Sequence, residues 1–439
     1  MNDIKSKILN YLNSNKQNIL KEFSLKEEYL KAFAKMETVS QKIIDYKNAP
    51  IGFFENFDYN VFSENSYGEN FSLVNVDYEK LNFKIPENAN IITMLNGCFS
   101  HENSKIISKN ITVNSFIEKN KSEYFEMEKY FLDYSEENEN QLILLNNILS
   151  KDGIYLNIHK NSVVEEPIYI VNVITKQNKN FVFNYRKLII VDENSSAKII
   201  ETDLFLSDCK SLILNVFLTK QAKNSNLDYS HINLNIDENQ TNHSKVSLIF
   251  HNEFKLEADA KLNYNTVNFD SYFVQNRTQF FLEGENSEVN TAMFNYLQND
   301  ETVDIVTKIS HSAPHTVSNQ LVKSIADDNS CFSFDGKILV AKDAQKIKSA
   351  QNSRAILLSD NAKVNCQPQL EIYTDDVECS HGSAIGNLEE DMIFYLNSRG
   401  IGKEEANKLL FTAFAGEVIE RISDDNFKNF IYKQIVRVN

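Results

Sequence analysis

A chain of 439 residues is long enough for two or three domains and for a core that needs no cross-links. Its formal net charge of −16 argues against a nucleic-acid partner, because a phosphate backbone is gripped by clustered Lys and Arg. No window approaches the roughly 20 uninterrupted apolar residues of a membrane span, and the opening MNDIKSKILNYLNSNKQ lacks the apolar stretch of a secretory signal. Five cysteines, an odd number with no CxxC pair, fit reduced thiols, so the chain reads as cytoplasmic.

The first 45 residues place apolar side chains at helical spacing: Ile8, Tyr11 and Leu12, then Ile19, Leu20 and Phe23, then Tyr29, Leu30 and Phe33. A mixed region follows, with a strand-like run from Ala89 to Met94 and a helical stretch through Leu142, Ile143, Leu145, Ile148 and Leu149. Residues 1–150 are therefore expected to form a mostly helical domain. From Asp152 the period changes to two, in runs such as GIYLNIH, PIYIVNV, KLIIVDE, AKIIETDLF, LILNVFL and LDYSHINLNI. This alternation over 151–386 requires a sandwich, a barrel, a propeller or a solenoid. With eleven Gly and five Pro in the whole chain, tight hairpins should be scarce. The breaks are instead Asn, Asp, Ser and Lys clusters, which suit the bends of a parallel solenoid, although no strict repeat can be written.

Residues 387–439 return to helical spacing. Glu389, Glu390 and Asp391 place acid in a first turn, Arg399-Gly400 reads as a stop, and Leu409, Leu410, Ala413, Phe414 and Val418 form an apolar stripe. A last helix carries Phe427, Phe430, Ile431 and Ile435. Such an appendage can cap the final rung of a solenoid or offer a docking surface.

The sharpest chemical feature is Cys379-Ser380-His381-Gly382. On an extended segment residues 379 and 381 share a face, so a thiolate and an imidazole converge. Both ligate iron or zinc, but a closed site needs about four ligands and no second pair is near in sequence. The segment is half a site, to be completed from elsewhere in the fold or from another chain; alternatively His381 carries protons, or both side chains are structural. His311 and His315 resemble an i, i+4 ligand pair, but Pro314 disrupts the required helix and an extended chain holds them roughly 13 Å apart. Cys331 and Cys366, within apolar alternation, read as core, and Cys98 and Cys209 carry no argument. No Walker A, GxGxxG, GxSxG or HExxH sequence is present. Asp327-Asp328 and Asp375-Asp376 do not make a glycosidase pair, because adjacent strand residues face opposite sides.

The run HSAPHTVSNQLVKSIADDNSCFSFDGKILVAKDAQKIKSAQNSRAILLSDNAKVNCQPQLEIYTDDVECSHGSAIG, followed by FYLNSRGI, resembles the SufB/SufD family of iron–sulfur cluster assembly. Weaker similarity reaches back through Asp152-Gly153-Ile154-Tyr155-Leu156 and Pro167-Ile168-Tyr169, covering about two thirds of the chain. Cys-Ser-His-Gly at 379–382 is similar to the SufD branch, where the SufB branch has Glu-His-Glu-Ala. The resemblance implies a right-handed parallel β-helix with helical flanks, paired with SufB and docking a SufC ATPase through residues 387–439. It implies a scaffold subunit and not an enzyme, with ATP entering only through SufC. It places Cys379 and His381 at the SufB interface as ligands of iron or of the nascent cluster, or else makes the chain an architectural, iron-recruiting partner with the cluster on SufB alone. A flavin in the complex and a homodimer formed before SufB is met are compatible with the resemblance and not specified by it. The amino-terminal region departs from the pattern: relatives often carry a Trp-containing segment there, and this chain has no Trp.

Overall fold

The computed structural model of the protein describes residues 9–10, 12–14, 26–35, 76–78, 84–116, 141–150, 152–175, 181–206, 210–234, 246–269, 271–387 and 390–438. Ile8, Tyr11, Ile19, Leu20, Phe23, Cys209 and Glu389, singled out above, lie outside these residues.

The period-two runs become two facing sheets, as expected, an odd and an even one after the numbers of their strands from β4 onward. One holds β1 (Asn90–Leu95), β2 (Cys98–Phe99), β5 (Ile168–Ile174), β7 (Ser196–Phe205), β9 (Asn226–Leu234), β11 (Lys261–Phe269), β13 (Glu288–Leu297), β15 (Val317–Ala326), β17 (Ile347–Leu357) and β19 (Val377–Asn387). The other holds β3 (Ile111–Ser115), β4 (Ile154–Ile158), β6 (Phe181–Val191), β8 (Ser211–Gln221), β10 (Val246–Leu256), β12 (Phe273–Leu282), β14 (Thr302–His311), β16 (Cys331–Val340) and β18 (Lys363–Ile372). From β4 onward successive strands alternate between the sheets, and each pairs in parallel with the strand two places away, for example β10 with β8 and β17 with β19. This is a parallel β-helix of about seven turns. The sheets begin ahead of residue 151: β1 joins β5 in parallel, and the antiparallel pairs β1–β2 and β3–β4 close the first end.

One corner of each turn explains the Asn-rich breaks. Asn161, Asn194, Asn224, Asp259, Asn286, His315 and Lys346 all take a positive φ between 56° and 61°. Asn and Asp visit this left-handed conformation at lower cost than other residues with a Cβ. Their amides stack from turn to turn: Asn194 Nδ2 donates to Asn161 Oδ1 at 2.8 Å, and Asn224 Nδ2 to Asn194 Oδ1 at 2.9 Å. The corner is a repeat in conformation that sequence spacing blurs, since those two links span 33 and 30 residues.

Between the sheets lies the main core, including Ile170, Ile199, Phe217, Tyr229, Phe254, Tyr264, Phe280, Ile305, Phe334 and Ile338. In-register neighbours stack: Tyr229 on Tyr264 at 5.9 Å, and Phe254 on Phe280 at 5.3 Å. Helix α1 (Lys26–Lys35) buries Tyr29 and Phe33 and packs on α2 (Gln141–Leu149), the helical stretch expected there. Asn146 of α2 caps the even sheet, donating from Nδ2 to the carbonyls of Leu214 (2.8 Å) and Tyr185 (3.2 Å).

Beyond the β-helix come α3 (Glu390–Ser398), α4 (Lys403–Ile419) and α5 (Asp425–Val438). Arg399-Gly400 is the stop it was read to be: Gly400 has φ +88°, and the N–H groups of Ile401 and Gly400 reach the carbonyls of Leu396 and Asn397. The helices do not cap the last rung. α4 and α5 instead cover the outer face of the odd sheet, where Tyr169, Ile200, Val267, Phe294 and Leu321 meet Phe411, Val418, Ile419, Phe427, Phe430, Ile431 and Ile435. The predicted stripe on α4 is thereby corrected. Only Val418 of that set is buried; Leu410 and Phe414 are half-buried, and Leu409 and Ala413 are exposed. Polar ties fix the seat: Tyr169 donates to Asp424 Oδ2 at 2.8 Å, and the buried Lys323 ammonium meets Glu417 at 2.8 Å above the Phe414 ring.

Candidate functional site

The last turn differs from those before it. β18 and β19 are the outermost strands of their sheets, with no neighbour on the outer side among the described residues. Val377 and Cys379 of β19, with Val364, Cys366 and Leu370 of β18, pack inward onto the core but are only half-buried, since no further turn covers them. Alternation holds as predicted, so His381 continues the face of Cys379 and is exposed at the open end. In register behind them stand Ser349 and Gln351 of β17.

Burial pushes the Cys379 thiol up, against a smaller opposing effect of the backbone hydrogen bond from Ser349. Burial thus disfavours the thiolate form, and a metal bound there would have to displace the thiol proton. Cys366 was read as core. It packs on the core but also lines the open end, where Ser353 Oγ donates to its Sγ at 3.2 Å, and burial raises its thiol as well. Cys331 is half-buried beside the inward Phe332.

A polar column runs inward from the open end. Gln351, buried and paired in register with His381, donates from Nε2 to Gln320 Oε1 at 2.7 Å, and Gln320 donates to Thr307 Oγ1 at 3.0 Å. Gly336 makes room for it: a Cβ there would fall 2.2 Å from Gln351 Nε2. His311 and His315 have unrelated surroundings. His311 is buried, hydrogen-bonded to Thr316 Oγ1 (2.7 Å) and Ser318 Oγ (2.9 Å), and burial lowers it to about 4; His315 stands on a left-handed corner.

Among the described residues, one group of three potential metal ligands converges, and it is elsewhere: Glu201, Asp203 and His231, all buried. In the sequence these residues sit inside AKIIETDLF and LDYSHINLNI, whose alternation predicts strands and no site. The signal was there, as charged residues at inward positions of two strands separated by one turn. At the open end no third such ligand gathers with Cys379 and His381 among the described residues.

A family model described as "SUF system FeS cluster assembly, SufBD core domain" matches residues 173–414. The chain belongs to the SufBD family. A second model, "SufBD protein N-terminal region", matches residues 5–170, so the lack of Trp does not set that region apart from the family. The chain is 31% identical over 252 residues to the iron–sulfur cluster assembly protein SufD of Escherichia coli, covering 57% of this chain and 58% of that protein. It is 27% identical over 350 residues to a SufBD family iron–sulfur cluster assembly protein of Synechocystis, covering 78% and 76%. SufD of Bacillus subtilis is 26% identical over 316 residues, covering 71% and 69%. The match thus spans less than two thirds of the Escherichia coli protein's length. The open end and the Glu201–Asp203–His231 group both lie inside the SufBD core match. No helix among the described residues is long and apolar enough to cross a membrane.

Proposed function

We propose that this chain is a SufD-type scaffold subunit which pairs with SufB at its open end and, with a SufC ATPase docked on α3–α5, helps to build iron–sulfur clusters in the cytoplasm. The observation that carries this reading is the unfinished last turn: two unpaired strand edges frame a thiol and an imidazole on one inner face. Unpaired edges are templates for another chain's strand, and Tyr373 and Ile385 add exposed apolar surface there. Cys379 and His381 supply two donors for iron and sulfide arriving as cargo, and SufB supplies the rest. Met392, Phe394 and Tyr395 of α3, with Leu409 of α4, are exposed large apolar side chains and support a docking surface on the terminal helices. SufD contributes geometry and ligands; ATP turnover belongs to SufC.

One variant of this reading makes the chain an architectural or iron-recruiting partner, with the cluster ligated by SufB alone. Co-purification of the tagged chain with its SufB and SufC candidates, followed by anaerobic reconstitution with Cys379→Ser and His381→Ala, separates the two. Assembled complexes that lose cluster formation support the ligand role; complexes that build clusters at the unsubstituted rate establish the architectural one. Failure of the three chains to co-purify overturns both.

A further inference from the structure

Six strands from the open end in the odd sheet, roughly 29 Å at about 4.8 Å per strand, the interior of the β-helix carries charge where its neighbours are apolar. Glu201 and Asp203 of β7 and His231 of β9 point between the sheets and are at most 5% exposed. Register brings them together: Glu201 pairs with His231, Thr202 pairs with Ile232, and Asn233 therefore stands beside Asp203.

The metal-binding atoms of Glu201, Asp203 and His231 all lie within 4.8 Å of one another. His231 Nε2 and Asp203 Oδ2 are 3.2 Å apart. That is long for a charge-assisted hydrogen bond, usually about 2.7–2.9 Å. It is the separation of neighbouring ligands placed about 2.1 Å from one ion at close to a right angle. The carboxylates are already steadied from outside, as ligating carboxylates are. Lys187 Nζ and the Tyr229 hydroxyl hold Glu201, and Asn172 Nδ2 donates to Glu201 at 2.6 Å and to Asp203 at 2.8 Å.

Two carboxylates share a single lysine ammonium in this buried cluster, and its hydrogen bonding leaves one oxygen over. Asn233 spends its amide nitrogen on Asn268 of the next turn, at 2.7 Å, and so has only its Oδ1 left to offer. That oxygen is buried and has no hydrogen-bond partner. Asp203 already has Asn172 at Oδ1 and His231 at Oδ2, so the Asn233 oxygen is the buried acceptor left over, and a bound cation would satisfy it.

We infer that Glu201, Asp203 and His231, with the Asn233 carbonyl as a fourth donor, form a site for a first-row divalent transition-metal ion inside the β-helix, separate from the donors at the open end. One imidazole with oxygen donors suits Fe(II), Mn(II), Co(II) or Zn(II) and excludes the thiolate chemistry of the last turn. Enclosed by the sheets, the ion enters as the chain folds and leaves only when it opens.

Cobalt(II) serves as the probe. The full chain carrying Cys379→Ser and His381→Ala, which removes the open-end donors, is refolded anaerobically with cobalt(II), desalted, and analysed by mass spectrometry of its metal content and by visible absorption. One retained equivalent with d–d bands and no thiolate-to-cobalt band is expected, and Asp203→Asn should weaken retention by about 10–100-fold. No retained cobalt in the folded parent overturns the site, and equal retention in Asp203→Asn overturns it also. Should Asp203→Asn fail to fold, His231→Gln replaces it, and the parent measurement decides in any case. Cluster assembly at the open end is read separately, so either conclusion can fail without the other.

Discussion

The turn that holds Glu201 and the turn that holds His381 are built on one plan, with side chains alternating in and out of two parallel sheets, and they reach opposite states. In the first, stacked turns on both sides bury an ion network in which Lys187, Tyr229 and Asn172 satisfy two carboxylates. Burial acts to raise the Glu201 carboxyl, yet the Lys187 ammonium and the His231 imidazole hold it down at about 2. In the second, no further turn of described residues stacks on β19, and the same inward position leaves His381 exposed. Position within the stack, more than residue type, decides whether a polar inward side chain stabilises the fold or meets a partner.

The sharpest break in that contrast is Lys187→Met. It strands Glu201 in the core, and removal of one partner of a buried pair costs about 3–5 kcal/mol, read as a lower midpoint in urea unfolding. Replacing both, Lys187→Met with Glu201→Leu, should cost less than the single change. Gly336→Ala comes next. Its Cβ would meet Gln351 at 2.2 Å and the Phe334 ring at 2.4 Å, an overpacking cost of about 1–3 kcal/mol by the same assay. At the open end, Tyr373→Ser should move stability by no more than about 0.5 kcal/mol while weakening capture of the SufB candidate in a pull-down.

Acid sharpens the comparison further. His311 is lowered to about 4 and His251 to about 3, each by burial first, while an unfolded imidazole titrates near 6.5. Between those values the unfolded chain binds more protons than the folded one, so stability falls as pH drops from about 6.5 toward 4. His311→Gln should flatten that slope in urea titrations run at successive pH values; an unchanged slope would mean that His311 charges freely in the folded state.

The β-helix was legible because a buried strand face writes itself as alternation, and few Gly and Pro argued against hairpins. So were β1, α2 and the Gly400 stop, which rest on local chemistry. The seat of α4 was not legible. Its apolar residues surround the helix, and the outer face of the odd sheet, assembled from strands hundreds of residues apart, selects Phe411, Ala415 and Val418 over Leu409 and Ala413. The corner repeat was hidden because conformation is conserved from turn to turn while Asn, Asp, His and Lys all occupy it. At the site, alternation placed Cys379 and His381 on one face, but the raised thiol and the buried Gln351 behind it depend on packing that spacing does not encode.

A stack of turns is close to a one-dimensional chain of cooperative units, each held by its two neighbours. Every interior turn has two such interfaces; the turn of β18 and β19 has one. It is therefore the least costly part of the β-helix to open, and its amides should exchange with solvent before those of β9 or β11. Cys379 and His381 ride on the turn that moves first, so a partner that completes the stack would also set the mobility of the two donors.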